Sequence, residues 1–168
     1  MNGAIEWMLS LQVSDVMHRN VVRLPASSTM AEAANILLKH GISGAPVVDE
    51  LNRCIGVLSS VDFVKRQHDL AESRAIESSH RGDPSPTLGV SVFDNESIER
   101  YMTPVVQSTA MDASLMQAAR IMDSAHVHRV PVLDGRGSPI GMITSLDIVA
   151  ALVQVIEEQS QSTDAAGG

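Results

Sequence analysis

Two short motifs combine a hydroxyl side chain with a carboxylate three residues later: Ser59 with Asp62, and Thr144 with Asp147. Each motif stands where an apolar strand pattern gives way to a helix pattern. In the simplest interpretation, the hydroxyl caps the helix and the Asp interacts with the positive end of the helix dipole. The unpaired N–H groups at such a helix start also favour a bound anion. Helix capping and anion binding are therefore both open for these residues.

The two motifs belong to a repeat in which corresponding residues lie 85 positions apart. The segment Ile55–Asp62 returns as Ile140–Asp147, and the register holds without a gap over residues 13–66 and 98–151. This offset is too long for a solenoid unit, which has about 20–50 residues. The repeat therefore indicates a duplicated subdomain, and clefts between packed units are common ligand sites.

Both halves predict the element order strand, helix, strand, strand, helix, which is a mixed α/β (α+β) fold. In the first half these elements are the strand Val21–Leu24, a helix capped by Ser27 or Ser28 and ended by Gly41, the strands Ala45–Val48 and Cys54–Leu58, and a helix begun by Ser59 or Ser60. In the second half they are a strand that begins at Val105 and Val106, a helix capped by Asp112 or Ser114, the strands Val130–Leu133 and Ile140–Ile143, and a helix from about Ser145 to Glu158.

Composition argues against several classes of partner. The formal net charge of −8 disfavours a nucleic-acid backbone, and the four aromatic residues offer few stacking platforms for single-stranded bases. The single cysteine, Cys54, excludes an internal disulfide framework. No apolar run is long enough to cross a membrane, and the first residues lack a basic stretch typical of a secretory signal. We expect a cytoplasmic protein that binds neither nucleic acid nor membrane.

Motifs for catalysis are missing from the sequence. It contains no glycine-rich phosphate loop, no nucleophile elbow and no paired His/Glu metal motif. His126 and His128 lie two residues apart, but no acidic or cysteine partner follows at a metal-binding spacing. We therefore expect no enzymatic activity and no metal requirement.

The motif small-x-Pro-Val-Val-Asp, followed by hydrophobic-Gly-hydrophobic-hydrophobic-Ser/Thr-x-x-Asp, resembles the cystathionine β-synthase (CBS) domain. CBS domains occur in tandem, so the resemblance implies repeats at residues 8–69 and 96–158, a linker or long loop at 70–95, and a disordered tail at 159–168. The stretch Val127–Asp134 also resembles the nucleotide-binding repeats of the AMP-activated protein kinase gamma subunit, in which a His-Arg pair meets phosphate groups.

The resemblance implies a pseudo-twofold pair of CBS subdomains with two clefts for adenosine derivatives. It implies a regulatory module that senses AMP, ADP or ATP as its ligand and signals to an effector protein or through self-association. CBS pairs typically form a homodimeric disc. The alternatives are a ligand-free assembly module and a binder of an S-adenosylmethionine-type compound.

The family's binding residues map onto this sequence in two sets. One cleft would use Asp147 for ribose, Thr144, His128 and Arg129 for phosphate, and Met142, Val22, Ile42 and Ser43 beside adenine. The other cleft would use Asp62 for ribose, Ser59 for phosphate, and Val57, Gln107 and Val127 as flanking residues.

The repeats differ where the family would bind phosphate. The second repeat has His128-Arg129, whereas the first has Ser43-Gly44 and thus no guanidinium group. We therefore expect unequal clefts, with the stronger phosphate site at Asp147. The alternative for His128 is a hydrogen-bonded structural histidine, and Arg129 could instead pair with a surface acid.

Overall fold

The structure, a computed structural model, describes residues 2–81, 96–104 and 107–165, with side chains over 6–72, 96–104 and 107–158. It contains two compact units. We call Val22–Val105 the Asp62 unit, and Met1–Val21 together with Val106–Gly168 the Asp147 unit. In chain order the elements are α1 (Asn2–Ser10), α2 (Val13–Val16), β1 (Leu24–Pro25), α3 (Met30–His40), β2 (Gly44–Val48), β3 (Cys54–Ser59), α4 (Ser60–Arg81), a 3-10 turn (Ile98–Arg100), β4 (Thr103–Pro104), α5 (Leu115–Ala125), β5 (Arg129–Leu133), β6 (Pro139–Thr144) and α6 (Ser145–Ala165).

A four-stranded sheet in the order β1-β2-β3-β4 forms the Asp62 unit. Strand β1 runs parallel to β2, and the other neighbouring pairs are antiparallel. Buried side chains from α3, such as Met30 and Leu37, pack with Leu24, Val47 and Leu58 of the sheet. The order of β1, α3, β2, β3 and α4 confirms the element order predicted for the first half.

The N-cap of helix α3 is Thr29, one residue after Ser28, the later of the two predicted caps, Ser27 and Ser28. Thr29 accepts a hydrogen bond from the Glu32 N–H at 3.2 Å, and the Glu32 carboxylate accepts one from the Thr29 N–H at 2.8 Å. This reciprocal pair is a capping box. Gly41 ends the helix in the left-handed conformation, with φ of 63°, as predicted.

The Asp147 unit is built on the antiparallel pair β5 and β6 with helices α5 and α6. Ser114 caps α5 by accepting a hydrogen bond from the Gln117 N–H at 3.2 Å, so Ser114 rather than Asp112 is the cap. The predicted strand at Val105 and Val106 lies outside the described residues. A single parallel bridge between Thr109 and Val132 occupies the place that β1 has in the other unit.

The leading segment of each repeat pairs with a strand of the other repeat. His18 exchanges two backbone hydrogen bonds with Met142 of β6, each 2.9 Å long. In the Asp62 unit, β4 pairs with β3 through Thr103 and Val57 in the same way. Residues 8–21 of the predicted first repeat thus lie in the Asp147 unit, and residues 96–104 of the predicted second repeat lie in the Asp62 unit.

Both long helices extend past their predicted ends. Helix α4 reaches Arg81, so residues 70–81 are helical where a linker or long loop was predicted, and 82–95 lie outside the described residues. Residues 67–81 contain neither Gly nor Pro, and the first strong stop signals are Gly82 and Pro84. Helix α6 reaches Ala165, so residues 159–165 of the predicted disordered tail are assigned to this helix.

We predict that Gly141→Ala destabilises the protein by about 1–3 kcal/mol, the usual cost of overpacking. A Cβ at Gly141 would collide with the sulfur of Met17, which is buried in the core of the Asp147 unit. Urea unfolding measures the loss. Gly135→Ala is the matched control, because a Cβ there meets no atom within 4 Å. Equal stabilities for the two variants would contradict this packing.

Candidate functional site

The Thr144–Asp147 motif joins the end of β6 to the start of α6 through a closed set of hydrogen bonds. The Asp147 Oδ2 accepts from the Thr144 N–H at 2.7 Å and from the Thr144 hydroxyl at 2.8 Å. The Thr144 Oγ1 in turn accepts from the Asp147 N–H at 3.3 Å. Asp147 therefore caps α6, and one of its two carboxylate oxygens is fully used in doing so.

The Ser59–Asp62 motif has two of these three hydrogen bonds in the other unit. The Asp62 Oδ2 accepts from the Ser59 N–H at 2.7 Å and from the Ser59 hydroxyl at 2.9 Å. Asp62 is more enclosed, since only 4% of the residue is exposed. A hydroxyl that accepts from a helix N–H, as the capping interpretation predicts, is thus confirmed for Thr144.

His18 contacts the second oxygen of Asp147, which the sequence analysis missed. Its Nε2 lies 2.8 Å from the Asp147 Oδ1, while 69% of the His18 side chain and 13% of the Asp147 side chain are exposed. The two residues are 129 positions apart in the sequence. The only sequence signal is that Thr103 occupies the corresponding position of the second repeat, and this difference does not reveal what His18 contacts.

Arg129 places a cation at the start of β5, opposite the hydroxyl end of the Thr144–Asp147 motif. Its Cα partner in the antiparallel register is Thr144. Arg129 is partly buried, and this burial lowers the pKa of its guanidinium group. Arginine nevertheless keeps its charge in proteins, so the cation here has lost part of its water. A partly desolvated guanidinium attracts an anion more strongly than one in bulk water.

The strand register shows that Ser43-Gly44 and His128-Arg129 occupy equivalent places. Gly44 pairs with Ser59 as Arg129 pairs with Thr144. The Ser60 N–H donates to the Ser43 carbonyl at 2.9 Å, and the Ser145 N–H donates to the His128 carbonyl at 3.0 Å. The two units therefore share a backbone frame, but the Arg129 side chain has no counterpart at Gly44.

A surface cavity of about 590 Å³ in the Asp147 unit adjoins this region. It includes His128 and Ser145 at the junction of β5 and α6, together with Val127. Val127 was assigned to the weaker cleft, so residues of both predicted sets line one cavity. Asp147 itself is not among the lining residues.

Each predicted set of site residues draws on both units. From the stronger set, Asp147, Thr144, His128, Arg129 and Met142 lie in the Asp147 unit, and Val22, Ile42 and Ser43 lie in the Asp62 unit. From the weaker set, Asp62, Ser59 and Val57 lie in the Asp62 unit, and Gln107 and Val127 lie in the Asp147 unit. Met142 and Val57 occupy equivalent places, since they pair with His18 and Thr103 respectively.

Three further features bear on chemistry. Within residues 2–81, 96–104 and 107–165, no three His, Cys, Asp or Glu side chains form a group that could hold a metal ion. No helix in the same described ranges is long and apolar enough to span a bilayer. Burial raises the pKa of the Cys54 thiol in β3, which makes that cysteine a poor nucleophile.

Comparison with known proteins decides the family. The CBS domain model matches residues 13–69 and 98–154. The chain belongs to the CBS domain family. This confirms the tandem CBS resemblance and the duplicated α/β fold class.

Individual CBS proteins are similar along most of this chain. The chloroplastic protein CBSX2 of Arabidopsis thaliana is 25% identical over 160 residues, which are 90% of this chain and 67% of CBSX2. A crystal structure of the CBS domain pair of MJ0100, in complex with 5′-methylthioadenosine and S-adenosyl-L-methionine, has a TM-score of 0.65 and 26% identity over 83% of this chain and 94% of that one. A crystal structure of CBSX2 in complex with AMP has a TM-score of 0.65 and 24% identity over 86% and 97% of the two chains, which supports the fold.

Several curated relatives are much longer than the matching region. The chain spans 32% of the uncharacterised protein MJ1404 and 22% of an L-aspartate semialdehyde sulfurtransferase, both from Methanocaldococcus jannaschii.

Proposed function

We propose that the protein is a regulatory CBS pair that binds an adenine nucleotide (AMP, ADP or ATP) and passes the signal to an effector protein or through self-association. The observation that carries this proposal is Arg129, a partly buried guanidinium whose register partner is Thr144 at the start of α6. The MJ0100 CBS pair, 26% identical, supports an adenosine compound as the ligand, because its crystal structure is in complex with 5′-methylthioadenosine and S-adenosyl-L-methionine. The choice of a phosphorylated compound rests on Arg129 alone.

Phosphate binding follows from the arrangement of charge. The guanidinium of Arg129 provides a fork of N–H donors that matches a phosphate group. The N-terminus of α6 begins at Ser145, next to Thr144 in the chain, but the Asp147 carboxylate already lies at this end of the helix. Arg129 at the start of β5 is therefore the main source of positive charge for a phosphate at the β5–α6 junction.

Ribose binding is assigned to Asp147. An ionised carboxylate only accepts hydrogen bonds, and the vicinal hydroxyls of ribose supply two donors. The cap uses Oδ2, so Oδ1 is the oxygen that would receive the ribose. Contacts to adenine from Met142, Val22, Ile42 and Ser43 stay predictions, as does the complete second set around Asp62.

The Asp62 unit is proposed as the weaker site for two reasons. Gly44 provides no cation where Arg129 stands in the other unit, and Asp62 is nearly inaccessible. A second ligand there would carry less charge, as adenosine compounds without phosphate do.

Assembly without a ligand is the second candidate, favoured by an apolar stripe on α6. Leu146, Val149, Val153 and Ile156 recur at helical spacing and are between 47% and 73% exposed. Exposed apolar stripes of this kind mark association surfaces, and we propose a second copy of this chain as the partner. Val149 of this stripe also lines the cavity beside His128 and Ser145, so assembly and ligand binding would share one edge of α6.

We predict that Arg129→Ala weakens ATP and ADP binding about ten- to a hundredfold, and adenosine binding much less. The lost contact is a charge-assisted hydrogen bond to phosphate, worth about 1.5–3 kcal/mol. Isothermal titration calorimetry measures the affinities. Arg136→Ala in the exposed β5–β6 turn is the charge-matched control and should leave all three unchanged. Equal losses of affinity for ATP and adenosine would show that Arg129 does not bind phosphate.

We predict that Val153→Lys shifts the protein from dimer to monomer in analytical ultracentrifugation. The substitution places a charge in the middle of the apolar stripe, where a dimer would have to desolvate it. The neighbouring Gln154→Lys adds the same charge at an exposed position outside the stripe, so it should leave the dimer intact. A wild-type protein that sediments as a monomer at high micromolar concentration would refute the assembly candidate.

A further inference from the structure

We propose that His18 is a specificity-determining residue that competes with the ribose diol for the Asp147 carboxylate. The proposal rests on the adenosine-binding function proposed above. We call the imidazole of His18 the gate, because its contact with Asp147 Oδ1 must break before both ribose hydroxyls can bind.

Counting acceptor sites shows why the two cannot coexist. A carboxylate has about four lone-pair sites, two on each oxygen. The N–H and hydroxyl of Thr144 occupy both sites on Oδ2, and the gate occupies one on Oδ1. One site is left for a ligand, whereas a vicinal diol brings two donors. A ligand with a single ribose hydroxyl can therefore bind beside the gate, but a full diol has to displace it.

The gate can move while the backbone that carries it stays in place. The His18 backbone is held by two 2.9 Å hydrogen bonds to Met142, and the neighbouring Met17 is buried in the core. The imidazole itself is 69% exposed and has free space for another rotamer. Displacement of the gate thus costs one hydrogen bond and requires no unfolding of the leading segment.

The gate is specific to the Asp147 unit. Thr103, the residue that corresponds to His18, pairs with Val57 as His18 pairs with Met142, and its side chain is shorter. The two units therefore differ on both sides of the motif, since Arg129 and His18 belong to one unit alone. The cation favours phosphate, whereas the gate lowers the gain from a ribose diol in phosphorylated and unphosphorylated nucleosides alike. The gate therefore reduces the preference for ribose over deoxyribose compounds, and Arg129 favours the phosphorylated ones.

The test compares adenosine with 2′-deoxyadenosine, which lacks one hydroxyl of the diol. His18→Ala should bind adenosine about 3–10 times more tightly than the wild type, since a competing hydrogen bond of ordinary strength is removed. Binding of 2′-deoxyadenosine should change less than twofold. His18→Gln restores an N–H donor of similar reach and should return adenosine affinity close to that of the wild type. His40→Ala, an exposed histidine on α3, is the control and should change neither affinity.

The outcomes separate the gate from the function on which it rests. If adenosine binding depends on Asp147 but His18→Ala leaves it unchanged or weakens it, His18 is not a gate. If neither the wild type nor His18→Ala binds AMP or adenosine, the proposed function and the gate both fail. If both proteins bind AMP and His18→Ala still does not bind adenosine more tightly than the wild type, the gate alone fails. A readout without ligand is the ¹⁵N imidazole spectrum of His18, which Asp147→Asn should shift. An unshifted spectrum would overturn the His18–Asp147 contact itself.

Discussion

The structure of the Asp147 unit depends on the two backbone hydrogen bonds between His18 and Met142. They extend the β5–β6 pair by one bridge and bring a segment from the start of the chain against the second repeat. Met17 then packs against Gly141 and joins the core with Val13, while His18 reaches Asp147. A larger residue at 141 would obstruct this packing. The glycine of the repeated motif is therefore required by the fold as well as lying near the proposed site.

The two units share the features that form the fold and differ in the side chains at the proposed binding positions. In both units the Asp carboxylate at the start of the last helix accepts from the N–H and hydroxyl of the residue three positions before it, and both units place a methionine, Met17 or Met102, beside the motif glycine. The side chains at the proposed binding positions differ: Arg129 is equivalent in register to Gly44, and His18 to Thr103. An anion bound at the Asp147 unit would lie near a partly buried cation that the equivalent position of the Asp62 unit lacks. This asymmetry would suit the proposed sensor, in which one unit responds to charged nucleotides.

Much of the fold could be predicted from the sequence because local patterns and the repeat agree. The strand–strand–helix order around each motif, the Gly41 helix end and the equivalence of Ser43-Gly44 with His128-Arg129 all follow from spacing. The cap of α3 was misplaced by one residue because Ser28 and Thr29 have similar propensities, and only the Glu32 contact selects Thr29. Helix α4 was predicted too short because its residues beyond 67 lack an apolar stripe, although they contain no helix breaker. The His18–Asp147 contact could not be predicted, since it depends on a tertiary pairing of segments 129 residues apart.

The central claim is that an adenine nucleotide binds at Asp147 in preference to Asp62. Calorimetric titration of AMP into the wild type, Asp147→Asn and Asp62→Asn tests it most directly. The two variants remove the same charge from the same structural position in each unit, so they are matched for their effect on the helix caps. We predict that Asp147→Asn weakens the tighter AMP site about ten- to a hundredfold, whereas Asp62→Asn leaves its Kd unchanged. Equal losses in both variants, or a Kd that is unchanged in Asp147→Asn, would contradict preferential binding at Asp147.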